Sequence, residues 1–240
     1  FKGQVYPVNP NTASIDGMKC YADFENLPAV PDLAILALPA ETTVLLLEKI
    51  GKKGTKNIVI FSSGFKEIGA EGVNLENDLE QVAKKYGLNI LGPNCLGFVN
   101  TLNNLNATFS QAGNITGNLR FISQSGSLAS AIFDWAKHHK IGFSDFITLG
   151  NKTVLNENDI LRYWLTGPSG SLCQEGLSKY QPIGMYLESL DTGKEFINLV
   201  SKISMVNPVF ILKPGTSKEA RNAMHSHTGS MAGNSVVQEA

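Results

Sequence analysis

Continuous apolar runs that alternate with helical stretches constrain the fold of this chain more than any other feature. In its first half, apolar runs at 33–38, 57–61 and 88–91 are separated by helical patterns at 41–53 and 70–86. Continuous rather than alternating apolar runs are typical of strands that are covered on both faces. The order strand, helix, strand, helix therefore predicts a parallel, doubly wound α/β sheet with right-handed crossovers.

A second series with the same order follows the polar, asparagine- and glycine-rich stretch 100–118, which we interpret as a linker with room for a short strand. This series is predicted to contain strands at 119–122, 143–149, 183–187 and 209–212 and helices at 127–139, 157–165 and 192–205. The sequence thus predicts two doubly wound parallel-sheet domains, residues 1–104 and residues 115–240.

The two ends of the chain suggest a piece of something larger. The chain opens on Phe1 without a methionine or a leader and runs directly into the strand-like residues 4–8. Residues 235–240 look like the start of a helix. We therefore expect the first domain to be truncated at its N-terminus and the second at its C-terminus.

Composition narrows the classes of partner. A net charge of −1 gives no electrostatic reason to bind nucleic acid or an anionic membrane. No apolar run approaches the ~20 residues that cross a bilayer. The three cysteines, Cys20, Cys95 and Cys173, are widely spaced and offer neither a disulfide framework nor zinc-ligand spacing. We expect a cytoplasmic protein without nucleic-acid, membrane or metal partners.

The turn at residues 123–127, Ser-Gln-Ser-Gly-Ser, leads from a predicted strand into a predicted helix. Open α/β sheets bind their ligands at such strand ends. Free N–H groups at the helix start, assisted by the helix dipole, form a site for an anion such as phosphate. An ordinary N-cap is the alternative, because serine caps helices routinely.

Two further side chains stand out at strand ends. One interpretation of Cys95 is a nucleophile, but no neighbouring residue supplies a low-pKa environment, so a packed or ligand-adjacent thiol is favoured. Glu188 directly follows an apolar strand, where a carboxylate is costly unless it is exposed, paired or functional. Near a histidine, this carboxylate would orient one ring nitrogen and leave the other free to react.

Two imidazoles lie in the small-residue loop 225–233. Short neighbouring side chains leave His227 uncrowded, and a neutral imidazole acts as nucleophile, base or metal ligand near neutral pH. The alternative is a surface loop that happens to contain His225 and His227.

Five motifs in this order resemble one family. They are Tyr-Pro-Val-Asn-Pro at 6–10, Gly-Pro-Asn-Cys-Leu-Gly at 92–97, Ser-Gln-Ser-Gly-Ser at 123–127, Leu-Glu at 187–188 and Ser-His-Thr-Gly at 226–229. Together they resemble the nucleoside-diphosphate-forming acyl-CoA synthetases, in particular the ADP-forming acetate–CoA ligases related to the succinyl-CoA synthetase alpha subunit. The resemblance extends over essentially the whole chain.

The resemblance implies a fold and a reaction. Residues 1–104 would be a Rossmann-like CoA-binding domain, and residues 115–240 a flavodoxin-like ligase domain. Phosphate would attack an acyl-CoA to give an acyl phosphate and CoA. A histidine would then carry the phosphoryl group to ADP, held with Mg²⁺ on an ATP-grasp domain or beta subunit. By position His227 resembles that histidine and Glu188 resembles the glutamate that would orient it, whereas His225 lies outside the family's pattern.

The resemblance also assigns binding residues. It assigns phosphate binding to Ser125, Gly126 and Gly229. Several of the CoA residues follow or end a predicted parallel strand, so we expect one crevice at the strand ends of the first domain. The residues assigned to CoA are Pro7, Asn9, Pro39, Ser63, Gly64, Asn94 and Cys95.

The chain also departs from the family's pattern. In the family, a first strand and a Gly-rich turn that hold part of CoA come before the position of Phe1, and the ATP-grasp part comes after that of Ala240, so we expect both to lie outside residues 1–240. We therefore expect this chain to need a partner and to work in an oligomer. The loop 150–153 lacks acidic residues expected soon after Asn151, and the stretch 166–182 is longer than typical.

Two other classes of protein stay open. Some protein acetyltransferases carry an inactive ligase-like region as a CoA-binding sensor, but such regions tend to lose the phosphorylated histidine, which is present here as His227. A bare regulatory CoA-binding module would leave Ser125, Glu188 and His227 without a purpose. The acyl group itself has no readable motif.

Overall fold

Two packed β-sheets organise the chain, beside a short antiparallel pair formed by its first two strands. The computed structural model describes residues 1–110, 115–167 and 180–214. The helices are α1 (Ala40–Lys53), α2 (Ala70–Tyr86), α3 (Gly126–His138), α4 (Glu157–Thr166) and α5 (Gly193–Ser204). The strands are β1 (Ser14–Ile15), β2 (Met18–Lys19), β3 (Leu33–Leu36), β4 (Asn57–Ile60), β5 (Asn89–Leu91), β6 (Gly97–Asn100), β7 (Leu105–Thr108), β8 (Thr116–Ser123), β9 (Phe143–Thr148), β10 (Ile183–Tyr186) and β11 (Val209–Leu212). The predicted α/β class is confirmed.

The first sheet has the order β3-β4-β5, and its strands are all parallel. Helices α1 and α2 contact each other and bury Leu47 and Leu79 in one cluster with Ile60. Each helix ends at a glycine in the left-handed region, Gly54 after α1 and Gly87 after α2. This is a common way for a helix to end, because glycine adopts that conformation without a steric penalty.

The second sheet has the order β11-β10-β8-β9-β6-β7. Strands β8 to β11 are parallel, whereas β6 is antiparallel to both β7 and β9. Helix α3 covers one face, where Phe133 stacks on Phe146. Helices α4 and α5 cover the other face through Trp164 and Leu199. The centre of this sheet is parallel as predicted, and the antiparallel pair β6–β7 adds one edge.

The two sheets share a core. In β4, Ile58 and Ile60 join the buried cluster of α1 and α2, whereas Val59 joins the cluster of the second sheet. Successive side chains of a strand point to opposite faces, so β4 is covered on both sides. This double coverage explains the continuous apolar runs of the sequence.

A hairpin, β6–β7, occupies the first part of the stretch 100–118 that the sequence predicts as a linker. Val99 and Ala107 are buried, while their neighbours Leu102, Asn106 and Phe109 are exposed. A strand pair with one solvated face needs apolar residues only at alternate positions. Its low apolar content therefore hides it from a search for continuous apolar runs.

Two other sequence predictions need correction. Residues 4–8 form no strand, only an isolated bridge between Val8 and Tyr21. Strand β11 forms as predicted but is not buried, because it is the edge strand of the described sheet; Phe210 and Leu212 are more than half exposed.

Within the described ranges, none of the helices combines the length and the apolar character that crossing a bilayer requires.

Candidate functional site

The loops after β3, β4 and β5 lie together at one edge of the first sheet, because the three strands are parallel and adjacent. Ser62 ties them: the Leu38 N–H donates to Ser62 Oγ at 3.2 Å, and the Asn94 N–H donates to Ser62 O at 2.8 Å. Pro39, Ser63 and Asn94 are exposed at this edge. The structure thus brings the predicted Pro39, Ser63, Gly64 and Asn94 to one edge of the sheet.

The loop that carries Asn94 sits tightly on the end of β4. Gly92 has a φ of 99°, and a Cβ there would lie 2.5 Å from the Ile60 carbonyl oxygen. Asn94 itself adopts a φ of 57°, a conformation that asparagine tolerates better than most residues. The close approach to β4 therefore requires glycine at position 92, and asparagine suits the left-handed backbone at position 94.

The thiol of Cys95 packs beneath this loop. Its Sγ–H donates to the Ile60 carbonyl at 3.4 Å, and the residue is buried. Burial away from water raises the pKa of this thiol to about 12. A nucleophile needs a thiolate at neutral pH. The structure therefore supports the packed-thiol interpretation of Cys95.

We expect Cys95 to resist alkylation in the folded protein at about pH 8, because only the thiolate reacts and its pKa is strongly raised. The measurement is iodoacetamide labelling followed by peptide mass spectrometry at residue 95. Labelling in urea is the control, since unfolding should restore ordinary reactivity. Rapid modification of Cys95 in the native protein would contradict the packed-thiol interpretation.

Pro7 and Asn9 lie beside residues 20 and 21. The Tyr21 N–H donates to the Pro7 carbonyl at 2.9 Å, and the Asn9 N–H donates to the Tyr21 carbonyl at 2.9 Å. Asn9 Oδ1 accepts from the Asn11 N–H. These hydrogen bonds fix the segment but do not connect it to the strand-end loops, so its place around CoA stays a prediction.

In the second sheet, Ser125 is the N-cap of α3. Its Oγ accepts from the Leu128 N–H at 3.3 Å, as the N-cap interpretation predicts. Among the described residues, the Gly126 and Ser127 N–H groups have no hydrogen-bond acceptor, and a Cβ at Gly126 would meet nothing within 4 Å. Amides without an acceptor among the described residues, beside open space at a helix start, are suited to an anion. The N-cap is therefore compatible with the anion site, which stays a prediction.

Glu188 lies next to this helix start. It is buried, and both its own N–H and that of Ser189 donate to Gln124 Oε1, at 2.9 and 3.0 Å. Lys213 Nζ donates to the Glu188 carbonyl at 2.8 Å. Burial lowers the pKa of Lys213, with a contribution from the nearby Lys152 ammonium. Glu188 thus occupies a loop that is fixed to the turn containing Ser125.

The remaining predicted residues, His225, His227 and Gly229, lie outside the described residues, as does Cys173. Their roles stay predictions. Within the described ranges, no cluster of three histidine, cysteine or acidic side chains could hold a metal ion.

The loop 150–153 is part of the site that the sequence did not reveal. A Cβ at Gly150 would lie 2.2 Å from the Pro93 carbonyl oxygen, so this loop contacts the Asn94 loop directly. Asn151 Nδ2 donates to Glu67 Oε2 at 2.7 Å and to Glu76 Oε2 at 2.9 Å. The acidic partners of Asn151 therefore come from the first sheet's side.

Together these features define an open-sheet α/β protein with candidate residues at the strand ends of both sheets, and the loop 150–153 contacts both groups. The chain belongs to the family described as the succinyl-CoA ligase like flavodoxin domain, whose model matches residues 116–240. A model described as a CoA binding domain matches residues 2–101. The family resemblance of the sequence motifs is confirmed.

Known relatives agree with this assignment. The chain is 39% identical over 233 residues to "Acetate--CoA ligase [ADP-forming] I" of Archaeoglobus fulgidus, covering 97% of this chain and 33% of the relative. It is 40% identical over 238 residues to "Acetate--CoA ligase [ADP-forming] II subunit alpha" of Pyrococcus furiosus, covering 99% and 50%. The chain thus spans a third to a half of these relatives.

A solved structure has the same fold. The dinucleotide-forming acetyl-coenzyme A synthetase 1 of Ca. Korarchaeum cryptofilum, in complex with phosphate and ADP, superposes with a TM-score of 0.88 at 35% sequence identity. The match covers 100% of this chain and 49% of that chain.

Proposed function

We propose that this chain is the CoA-binding and phosphoryl-carrying part of an ADP-forming acid–thiol ligase. One observation carries the proposal: the chain has candidate residues at the strand ends of both sheets. In the first sheet they are the exposed loops after β3, β4 and β5, and in the second sheet they are the amides at the start of α3 beside the buried Glu188. The names of its relatives support the same class of reaction. A CoA-binding sensor would need the first edge but not the second.

The proposed organisation keeps the predicted domains, residues 1–104 for CoA and residues 115–240 for phosphoryl transfer. The hairpin β6–β7 completes the second sheet although β6 lies within the first range. It therefore ties the two domains together, in addition to the shared core.

In the first half-reaction, a phosphate oxygen attacks the thioester carbonyl, the C–S bond breaks, and the thiolate leaves with the proton given up by phosphate. Pro39, Ser63, Gly64 and Asn94 would hold CoA at the exposed edge, and we propose that Pro7 and Asn9 contact it as well. Cys95 would act from beneath by supporting the loop. The acyl phosphate is the product.

In the second half-reaction, an imidazole nitrogen of His227 attacks phosphorus, the bond from phosphorus to the acyl oxygen breaks, and the free acid leaves. The Gly126 and Ser127 amides, with Ser125 and Gly229, would donate hydrogen bonds to the phosphate oxygens and stabilise their negative charge. Glu188 would accept the N–H of the other ring nitrogen and raise the basicity of the attacking one.

Transfer to ADP would take place on an ATP-grasp domain or beta subunit that also holds Mg²⁺. The size of the relatives and the alpha-subunit name of one of them support such a partner. We propose an oligomeric, cytoplasmic enzyme.

The proposal is tested by calorimetric titration of CoA and by phosphate-dependent release of CoA from acetyl-CoA, with the ATP-grasp partner, ADP and Mg²⁺ present. We expect Asn94→Gly to weaken CoA binding about tenfold, since glycine keeps the left-handed backbone while removing the side chain.

The matched control is Asn89→Ala, because Asn89 begins β5 at the opposite edge of the same sheet. CoA binding should be unchanged in this variant. Equal effects of the two substitutions would show that CoA does not occupy the strand-end edge.

A further inference from the structure

A lysine buried beneath the Glu188 loop has every donor of its ammonium satisfied. Only 3% of the Lys152 side chain is exposed. Its Nζ lies 2.9 Å from Glu157 Oε2, 3.0 Å from Asp191 Oδ1 and 3.1 Å from the Ser189 carbonyl oxygen. A lysine ammonium has three N–H donors, so these three acceptors match it completely.

The partner of this lysine is equally unusual. Glu157 is fully buried, and its other oxygen, Oε1, accepts the Asp191 N–H at 3.1 Å. Taking two charges out of water is costly unless further hydrogen bonds satisfy them. Here Lys152 donates to the Ser189 carbonyl and to the Asp191 carboxylate, and Glu157 accepts from the Asp191 N–H. The pair therefore fixes the residues that directly follow Glu188.

The backbone of Lys152 is also held in place by its surroundings. Its φ of 57° lies in the left-handed region, which a residue with a side chain keeps only where its surroundings hold it. Its neighbours Asn151 and Thr153 bond to Glu76 of α2, and Thr153 N–H also donates to the Gly92 carbonyl. The loop is thus anchored on the first sheet's side, and Lys152 extends from it to the second site.

We propose that Lys152, with Glu157, is a positioning residue. Lys152 lies in the loop 150–153, which is anchored to the CoA-binding domain, and its ammonium holds residues 188–191 in place. It thereby sets the position of the Glu188 carboxylate. This inference rests on the proposed function for its catalytic consequence. Its structural content, that Lys152 immobilises the Glu188 loop, stands on the contacts alone.

The test uses the intact protein and the double variant Lys152→Met/Glu157→Gln, because removing one charge alone would leave the other buried and unpaired. Hydrogen exchange at the amides of residues 188–191 should accelerate at least about tenfold, as expected when charge-assisted hydrogen bonds that hold a loop are lost. With the ATP-grasp partner, ADP and Mg²⁺, kcat for ATP formation from acetyl-CoA and phosphate should fall about tenfold while the KM for acetyl-CoA stays unchanged.

The control is Arg120→Met/Asp145→Asn, which neutralises another buried pair in the second sheet, with Nε and Oδ2 3.5 Å apart. Exchange at 188–191 and kcat should stay at wild-type values in this variant. The proposal would be overturned if hydrogen exchange at 188–191 and kcat were unchanged in the Lys152/Glu157 variant. It would also be overturned if the Arg120/Asp145 variant changed both quantities by the same factor. If wild-type protein releases no CoA, the proposed function fails, while the exchange data still decide whether Lys152 holds the loop.

Discussion

Replacing His227 by alanine should abolish phosphate-dependent ATP formation from acetyl-CoA and ADP. The proposed reaction passes the phosphoryl group through one imidazole, and alanine offers no nucleophile in its place. The measurement is coupled ATP formation by the intact protein with its ATP-grasp partner. Mass spectrometry at neutral or alkaline pH should detect a phosphoryl group on residue 227 in the wild type, because phosphohistidine is acid-labile.

His225→Ala is the matched control, since it removes the second imidazole of the same loop. This variant should keep substantial activity and should still be phosphorylated at His227. Normal ATP synthesis by His227→Ala would eliminate the phosphohistidine mechanism and favour the CoA-binding sensor.

Glu188→Gln should slow phosphoryl transfer by at least about 10- to 100-fold, the range found for carboxylates that orient metal-bound histidines. Glutamine keeps the volume of the buried side chain and can keep the hydrogen bonds from the Glu188 N–H to Gln124 and from Lys213 to the backbone carbonyl. The loss should therefore appear in kcat and not in folding. Rapid-quench measurement of His227 phosphorylation, with a thermal melt of the same sample, separates the two.

The control for this variant is Glu195→Gln. Glu195 lies on α5, the helix that covers the same sheet, and pairs with Arg162 at the surface. An ion pair in such a place contributes little to stability. This variant should phosphorylate His227 at the wild-type rate. A Glu188→Gln protein that phosphorylates His227 equally fast would remove Glu188 from the mechanism.

Local patterns were sufficient for most helices and for the parallel strands. Helix α2 spans Ala70–Tyr86, as its periodicity and the glycine after it predict. Strand β11 also has its predicted bounds, Val209–Leu212. Such elements are encoded within a few consecutive residues, by apolar spacing and by residues that end a helix.

The candidate site was predictable only in part. Ser125 is the N-cap of a helix, as its strand–turn–helix sequence indicates, and Asn94 follows β5 at the predicted edge. The role of Lys152 was not predictable, because one of its acceptors, the Ser189 carbonyl, lies 37 residues away in the sequence. Sequence spacing carries no signal for such a contact.

By itself, then, the sequence determined the α/β class, the order of strands and helices, and the family, because each depends on local periodicity or on short motifs in a fixed order. Tertiary structure alone decided that β6–β7 completes the second sheet, that Cys95 packs beneath its loop rather than beside a ligand, and that Lys152 contacts the residues after Glu188. These features depend on which distant residues meet. Burial and ion pairing arise from that packing, and a residue's neighbours along the chain do not specify it.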